Sequence, residues 1–398
     1  MLIQISPSGS TPAKPLTGWP LLRLGFRPFY FVAAVFACLS IPFWIALFLG
    51  QVNVTMRVAP LLWHAHEMLF GFAVAVIVGF LMTAGKAWTG LATPRGASLA
   101  ALAALWIAAR LTALVGPYAL YAVLDMMLLP IVAGILLNIL LRSKNRRNLP
   151  LVLILALLAL ANLLFHLSAS SVIAVPPMKA LHAGLALVVM IECVMAGRVV
   201  PAFTAAVTPG LKISMHPRVE QVTLGLTGLA LALWVFATPG PITVVSFSVA
   251  AGLHLYRQAQ WHPWGTRSRP ILWILHVSYA WIAVGFALLA LAQAGLVNQS
   301  AGVHALAIGL TGGLIIGMIT RTARGHTGRT LRSSTSEVVA YSLVILAALV
   351  RVFVPLAAPD WYVPALIVAA LAWCVAFALY LYLYTPWLFS TRLDGKDG

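Results

Sequence analysis

Long runs of apolar residues, separated by short polar breaks, recur along the whole chain. A helix that crosses a bilayer needs about 20 mostly apolar residues, and the runs predict twelve such helices. They are placed at 29–49, 60–83, 97–115, 117–141, 149–168, 178–199, 219–237, 241–257, 270–294, 301–320, 335–355 and 361–385. Helices are favoured because lipid offers no partner to an unpaired backbone group, and because a β-barrel would show short segments of alternating polarity. The predicted fold class is therefore an all-α, polytopic membrane protein.

The composition indicates that lipid is the surrounding solvent. The 398 residues are 62% hydrophobic and only 8% charged, whereas soluble domains carry about 25% charged residues. We therefore treat 1–398 as a single integral membrane domain in a lipid bilayer. Residues 1–20 are polar and Pro-rich, without an early apolar core, so no signal peptide is expected there.

The basic residues are distributed unevenly between the two sides of the predicted bundle. Twelve spans place both termini on one side, and 21 of the 25 Lys and Arg residues fall there. Because cytoplasmic loops are enriched in Lys and Arg, both termini are predicted to be cytoplasmic. The net charge of +17 is then a signal of topology. Nucleic acid is not an expected partner, since that would require a basic face on a soluble domain.

Regular spacings indicate three copies of a four-helix unit, with pseudo-repeats at about 21–145, 146–264 and 265–390. Three prolines at the heads of spans lie 122 and 120 residues apart: Pro28, Pro150 and Pro270. Three His-Ala pairs begin spans two, six and ten: His64-Ala65, His182-Ala183 and His304-Ala305. A second register stays open, because the offsets from His66 to Gly71 and Gly79 equal those from His304 to Gly309 and Gly317. Chance agreement among similar apolar helices is the alternative.

Candidate chemistry rests with histidine rather than cysteine. Cys38, Cys193 and Cys374 lie inside apolar runs without a CxxC or CxxCH motif, so neither disulfides nor c-type haem are expected. Five histidines fall in the half of the bundle away from the termini: His64, His66, His166, His182 and His304. Ionisable groups inside a bilayer are usually functional, and imidazole commonly binds haem iron, copper and zinc. These five are the candidate metal ligands, and hydrogen bonding to interfacial water or backbone is the alternative.

The segment Trp63-His64-Ala65-His66-Glu67 is the densest of these signals. Residues i and i+2 lie about 200° apart on a helix, so His64 and His66 should face different neighbours and could serve two metals. Glu67 lies three residues after His64 on the same face, where it is expected to orient that ring.

A second acidic candidate, Glu192, lies ten residues beyond His182 and near mid-membrane. Such a carboxyl is typical of a proton relay or a cation ligand, and a protonated structural Glu is the alternative. Glu67 and Glu192 are therefore the two residues to which a catalytic role is assigned.

Two arginines lie in the charge-poor half of the bundle, Arg110 in span three and Arg351 in span eleven. A guanidinium group suits carboxylates, including haem propionates. Asp125 in span four is a competing partner for Arg110, and snorkelling anchors are the alternative for both arginines. Three more candidates for cofactor binding lie toward the cytoplasmic side: His276, Arg321 and His326. Hydrogen bonding within the bundle is the alternative for His276, whereas Arg321 and His326 belong to a predicted loop that could simply be solvated.

Several of these segments are similar to the NnrS family, haem- and copper-containing membrane proteins of nitric oxide metabolism. The strings that carry the resemblance are spread over most of the chain: GFRPF at 25–29, WHAHEM at 63–68, FG at 70–71, GF at 79–80, WTG at 88–90, GRVVPAFT at 197–204, LH at 275–276, YAW at 279–281, HA at 304–305, TR at 320–321 and GHTGR at 325–329. HAHEM and GHTGR are fairly specific, and GFRPF supports them.

The resemblance implies haem b and copper as cofactors and nitric oxide as a small-molecule ligand. It implies protection against nitric oxide in a bacterial inner membrane, by binding it or by reducing it as an oxidoreductase does. Quinone or a redox protein would then donate the electrons.

The residues alone leave two other classes open. One is a membrane transporter, which would favour broken helices at mid-membrane; Pro42 interrupts span one, but spans two, six and ten as predicted have no internal proline. The other is an assembly factor that passes haem or copper to other proteins.

Overall fold

The computed structural model of the protein describes residues 18–54, 56–208, 210–211, 213 and 216–396. Long helices follow one another through them: α1 (Phe26–Phe48), α2 (Pro60–Thr89), α3 (Ala97–Val115), α4 (Tyr118–Arg142), α5 (Leu149–Ala169), α6 (Pro177–Val207), α7 (Pro217–Phe236), α8 (Pro241–Ala259), α9 (Pro270–Gln293), α10 (Gln299–His326), α11 (Thr335–Ala357) and α12 (Tyr362–Leu388). The predicted all-α class is confirmed. The expectation about a signal peptide rests mostly on residues 1–17, which lie outside the described ones. Lys14 and Lys212, two of the 21 basic residues assigned to the side of the termini, also lie outside them.

Local sequence explains where the helices begin and end. Proline stands at the first or second position of six of them, where its missing N–H costs no helical hydrogen bond: Pro60, Pro150, Pro177, Pro217, Pro241 and Pro270. α11 begins with a capping box, in which the Ser334 N–H donates to Glu337 Oε2 at 2.6 Å. α2 ends at Gly90, whose φ of +70° belongs to the left-handed region that favours glycine.

Three helices, α2, α6 and α10, extend six or more residues beyond their predicted C-terminal ends. α6 continues to Val207 and includes Pro201, so the expectation that span six lacks an internal proline was wrong. α10 continues to His326, so Arg321 and His326 are helical and do not lie in a loop. Arg324 donates to Glu337 of α11 at 2.5 and 2.7 Å, and this buried ion pair holds the last turns of α10 inside the bundle.

One helix, α8, differs from the others in composition. Eleven of the described helices are long and apolar enough to cross a membrane, and α8 falls outside that group. Its 19 residues extend about 28 Å, but His254, Arg257 and Gln258 lower its mean hydropathy. All three side chains are buried, and α8 packs along α7 and α9. The chain is thus a multi-pass membrane protein with eleven candidate spans, and a twelfth crossing by α8 stays a prediction.

The centre of the bundle is formed by helices that expose little surface. The most apolar stretch of α2 is 78% buried and those of α9 and α10 are 72% buried, whereas those of α1, α3 and α7 are 33–39% buried. The first and last helices pack against each other. There the thiols of Cys38 and Cys374 each donate to the main-chain carbonyl of the other, at 3.5 and 3.6 Å. This contact closes the bundle around α2 and α10.

Both central helices α2 and α10 contain a π-helical segment, Glu67–Ala73 and Ala305–Gly312. Each begins one residue after a histidine, His66 or His304. A π-turn shifts the backbone register, and such segments are frequent at functional sites. The Gly71 carbonyl in the first segment accepts a hydrogen bond from Trp106 Nε1 at 3.1 Å. The wide turns are therefore supported by neighbouring helices.

The contacts of α1 with α2 are similar to those of α9 with α10. Gly79 of α2 lies against Phe29 of α1, and Gly317 of α10 lies against Ile274 of α9. Gly79 lies 13 residues after His66, and Gly317 lies 13 residues after His304. The likeness therefore agrees with the register that pairs these two histidines. The three pseudo-repeats at 21–145, 146–264 and 265–390 stay a prediction.

The crossing of α8 can be tested with topology reporters. We expect green fluorescent protein fused at the C-terminus to fluoresce and alkaline phosphatase inserted after Thr238 to be active, because the Lys- and Arg-rich loops predict that both termini are cytoplasmic. Phosphatase inserted after Gly116, between α3 and α4, is the matched control and should also be active. If α8 does not cross, the C-terminus lies on the other side of the membrane. Green fluorescent protein fused there would then be dark, and alkaline phosphatase fused there would be active.

Candidate functional site

A buried polar cluster lies where α2, α3, α4 and α5 meet. This His66 cluster consists of His66, Glu67, Arg110, Tyr121, Asp125, Asn162 and His166. None of its members is more than 6% exposed. Buried polar groups are costly in a low-dielectric interior unless each finds a partner, so the arrangement of partners decides what the cluster can do.

Arg110 bridges two carboxylates in this cluster. Its Nη1 donates to Glu67 Oε2 at 2.7 Å, and its Nη2 forms an ion pair with Asp125 Oδ1. The competing partner foreseen for Arg110, Asp125, is thus confirmed. Two ionised carboxylates against one guanidinium would leave one negative charge for another cation to balance.

His66 lies between these carboxylates. Its Nδ1 is 3.1 Å from Glu67 Oε1 and 2.9 Å from the Tyr121 hydroxyl. Its Nε2 is 2.9 Å from Asn162 Oδ1 and 3.4 Å from Asp125 Oδ2. The expectation that Glu67 orients His64 was wrong, because Arg110 draws the Glu67 carboxylate to the His66 side of α2.

His166 completes the cluster from α5. Its Nε2 lies 3.0 Å from Asp125 Oδ2, and its Nδ1 lies 3.1 Å from the Tyr118 hydroxyl. Ligand atoms of His66, Asp125 and His166 all fall within 4.8 Å of one another. Bonds from a transition metal to nitrogen or oxygen are about 2.0–2.2 Å long, so one ion can reach all three with small side-chain movements.

Sequence reasoning missed two members of this cluster, Tyr121 and Asn162, and assigned Asp125 only as a partner of Arg110. Tyr121 and Asp125 are four residues apart on α4, and Asn162 and His166 are four apart on α5. Polar residues at this spacing share a helix face. Their coincidence inside apolar runs was the signal that could have found them.

A second group, the His64 group, joins α2, α10 and α11 and consists of His64, Ser300, His304 and Arg351, with Trp44 of α1 beside it. The His64 ring stacks on Trp44 with centroids 4.0 Å apart, and neither of its nitrogens has a hydrogen-bond partner among the described residues. His304 Nδ1 lies 2.7 Å from the Ser300 carbonyl. Since a carbonyl only accepts, Nδ1 carries the proton and Nε2 presents a lone pair.

Arg351 lies near both imidazoles of the His64 group. Its Nη2 donates to Ser300 Oγ at 3.4 Å, and its guanidinium lies 5.5 Å from the Tyr362 ring centroid. Within the described part of the chain it has no carboxylate partner, in contrast to Arg110. Its capacity to bind an anion is therefore largely unused.

The remaining predicted metal ligand, His182, stands apart from both groups. Its Nε2 is 3.2 Å from Gln299 Nε2, and its ring lies 4.6 Å from Trp234. The five histidines predicted as ligands are thus distributed as a pair in each of two groups, His66 with His166 and His64 with His304, plus His182 alone.

The other predicted site residues lie outside both the His66 cluster and the His64 group. Glu192 Oε2 accepts a hydrogen bond from Thr311 Oγ1 at 3.1 Å and lines a central cavity. His276 Nε2 is 2.9 Å from Thr204 Oγ1, while its buried Nδ1 has no partner among the described residues.

Arg321 and His326 each contact an aromatic ring. The Arg321 guanidinium lies 3.7 Å from the Phe203 ring centroid, and the His326 ring lies 5.6 Å from that of Phe26. Neither residue contacts Glu192 or His276 in the described structure, so these four do not form one site.

A further buried network on α7, α8 and α9 has its hydrogen bonds satisfied. Arg257 forms an ion pair with Glu220 and donates to the Tyr279 hydroxyl at 2.7 Å. His254 has partners at both nitrogens, Tyr279 at 2.6 Å and Thr227 at 2.8 Å. These residues hold three helices together and leave no free ligand atom.

A protein-family model described as NnrS protein matches residues 20–392. The matched region extends from before α1 to beyond α12, so both the His66 cluster and the His64 group lie within it. No curated protein matches the chain.

Gly71 makes the ion pair of Arg110 with Glu67 possible. A Cβ atom at this position would lie 2.9 Å from Phe36 Cε1 and 3.2 Å from both Arg110 Nη1 and Glu67 Oε2. Any larger residue would therefore force the two charged groups or the π-segment to move.

We expect Gly71→Ala to destabilise the protein by about 1–3 kcal/mol, because overpacking strains a buried site. The measurement is thermal unfolding in detergent. Gly134→Ala on α4 is the matched control: a Cβ atom there would meet nothing within 4 Å, and alanine is the better helix former. Equal stability of the two variants would contradict the role given to Gly71.

Proposed function

The chain belongs to the NnrS family, and from that membership together with its buried histidines we propose that it is a haem- and copper-binding membrane protein that binds nitric oxide. The observation that carries the proposal is the approach of two imidazole Nε2 atoms, from His66 and His166, to one carboxylate oxygen of Asp125 inside a membrane bundle. We further propose that bound nitric oxide is reduced, which would make the protein an oxidoreductase.

The donor set of the His66 cluster fits copper. Imidazole nitrogen suits copper, and a carboxylate oxygen can complete its coordination. A cation among His66, Asp125 and His166 would also balance the negative charge left over by Arg110. Binding would replace imidazole protons with the metal, so copper uptake should release protons.

The surrounding side chains would hold both rings in the orientation that binding needs. Glu67 and Tyr121 contact His66 Nδ1, while His66 Nε2 faces Asn162 Oδ1 and Asp125 Oδ2. Nε2 would therefore have to give up its proton before it bound a metal ion. Tyr118 contacts His166 Nδ1. A partner on the second ring nitrogen is the usual means by which proteins orient metal-binding histidines.

The His64 group fits haem b. His304 presents Nε2 with its tautomer set by Ser300, and His64 has both nitrogens free. The two imidazoles come from different helices, and either could bind haem iron; Arg351 has no carboxylate partner among the described residues, so a haem propionate would suit it. Haem iron would supply redox chemistry and affinity for a diatomic gas.

Reduction of two nitric oxide molecules to nitrous oxide and water consumes two electrons and two protons. Glu192 lies at the middle of α6, where Thr311 Oγ1 donates to its carboxyl group, and we propose that it passes protons. A quinol or a redox protein would donate the electrons. We place both histidine groups in the periplasmic half of a bacterial inner membrane and both termini in the cytoplasm.

Loss of a ligand should remove copper selectively. We expect His66→Ala, His166→Ala and Asp125→Asn to lower the copper content of the purified protein by at least about tenfold while haem remains. His216→Ala and His262→Ala, at exposed positions, are the controls and should keep full occupancy. Copper is measured by elemental analysis, and normal copper in both His66→Ala and His166→Ala would remove the site.

The haem content of the protein should depend on the two histidines of the His64 group, His64 and His304. We expect His64→Ala and His304→Ala to abolish the Soret band, because alanine cannot supply an axial bond, and Arg351→Gln to weaken haem retention. Arg332→Gln, at an exposed position, is the control for the arginine. A wild-type Soret band in both histidine variants, with normal folding, would move haem away from this group.

Nitric oxide chemistry is tested on the purified, reduced protein. Optical and EPR spectra should change on addition of nitric oxide, and nitrous oxide should appear if the protein turns it over. A protein with neither a Soret band nor copper would contradict the proposed function. Spectral change without nitrous oxide would favour a factor that carries haem or copper to other proteins.

A further inference from the structure

A cavity of about 100 Å³, partly open to the surface of the bundle, lies between α1, α2, α6, α9 and α10. Its walls are almost entirely apolar, and Met195, Met318 and Phe80 are among the larger side chains that line it. The polar side chains on its wall are Tyr30, Glu192 and Thr311. The cavity therefore occupies the part of the molecule where α2 and α10 are most buried.

The walls offer water only three polar side chains, Tyr30, Glu192 and Thr311, of which the Tyr30 hydroxyl has no hydrogen-bond partner among the described residues. A buried water needs two to four polar partners, and one oxygen of Glu192 is already bonded to Thr311. Apolar cavities of comparable size in proteins stay dry and bind benzene or xenon. A small, uncharged, apolar molecule is the ligand that such walls accept.

Small residues keep the cavity open. Ala73 of α2 and Ala196 of α6 both line it, and a larger side chain at either position would fill part of it. Empty space in a protein interior costs stability, so alanine at both positions maintains a space that leucine or methionine would close.

The cavity and the His66 cluster lie along the same stretch of α2, with Ala73 on the cavity wall six residues after Glu67 of the cluster. Ala73 faces the cavity, whereas Phe70 lies beside the His66 ring with centroids 5.0 Å apart. Phe70 also lines a second, very small cavity of about 10 Å³ together with Arg110 and Asp125. The π-segment of α2 thus has the central cavity on one side and the candidate metal ligands on the other.

We propose that the central cavity binds small, uncharged, apolar molecules such as xenon or a diatomic gas, and that nitric oxide passes through it to reach the metal that binds it. The second clause rests on the function proposed above, and the first does not. Nitric oxide is neutral and prefers lipid to water, so it can enter an apolar cavity that excludes ions.

The binding clause is tested with xenon on the full chain in detergent. We expect xenon-129 NMR to detect one saturable site in the wild-type protein, and Ala196→Leu to abolish it. Ala232→Leu, an exposed alanine on α7, is the matched control and should leave the site unchanged. Absence of a saturable site in the wild type, or its survival in Ala196→Leu, overturns the proposal.

The clause on the passage of nitric oxide is tested by the rate at which nitric oxide binds the reduced protein after flash photolysis. We expect Ala196→Leu to slow binding at least tenfold without changing copper or haem content, and Ala232→Leu to have no effect. An unchanged rate overturns this clause and leaves the xenon site standing. Ala73→Leu is the second filling variant if Ala196→Leu does not fold. A protein without haem or copper would refute the proposed function while the xenon result still decides the cavity.

Discussion

The pairing of Arg110 with Glu67 and Asp125 is the interaction on which this half of the bundle depends. A charge inside a membrane without a partner is costly, so α2, α3 and α4 must pack in the one arrangement that brings these three groups together. The pairing is unequal, with two carboxylates on one guanidinium. The same contact that stabilises the helices therefore creates a place where a cation is favoured, beside two imidazoles.

The π-segments give the central helices the shape that this pairing needs. In α2 the wide turn begins at Glu67, and Gly71 within it leaves room for the guanidinium. In α10 the corresponding turn carries Thr311 to the carboxyl group of Glu192. A regular α-helix would turn these side chains by a different angle, so local irregularity and candidate function coincide on both helices.

Candidate sites differ from structural networks in that some of their polar atoms have no hydrogen-bond partner. His254 and Arg257 have partners at their polar atoms and serve to join three helices. His64, by contrast, has no ring-nitrogen partner in the described structure, and Arg351 has no carboxylate. Because unpaired polar groups are disfavoured inside a protein, groups left unsatisfied in this way indicate where a ligand belongs.

The sequence by itself determined the helices, because a backbone in lipid must satisfy its hydrogen bonds within each segment. The prediction at 97–115 coincides with Ala97–Val115, and most other boundaries differ by a few residues. It also identified His66 and His166 as candidate ligands from their cost inside a membrane. Only the tertiary structure decided that Glu67 serves His66, that Asp125 joins the two imidazoles, and that His64 and His304 belong to a separate group. Those contacts depend on the rotation and depth of one helix against another, which spacing along a single chain does not specify.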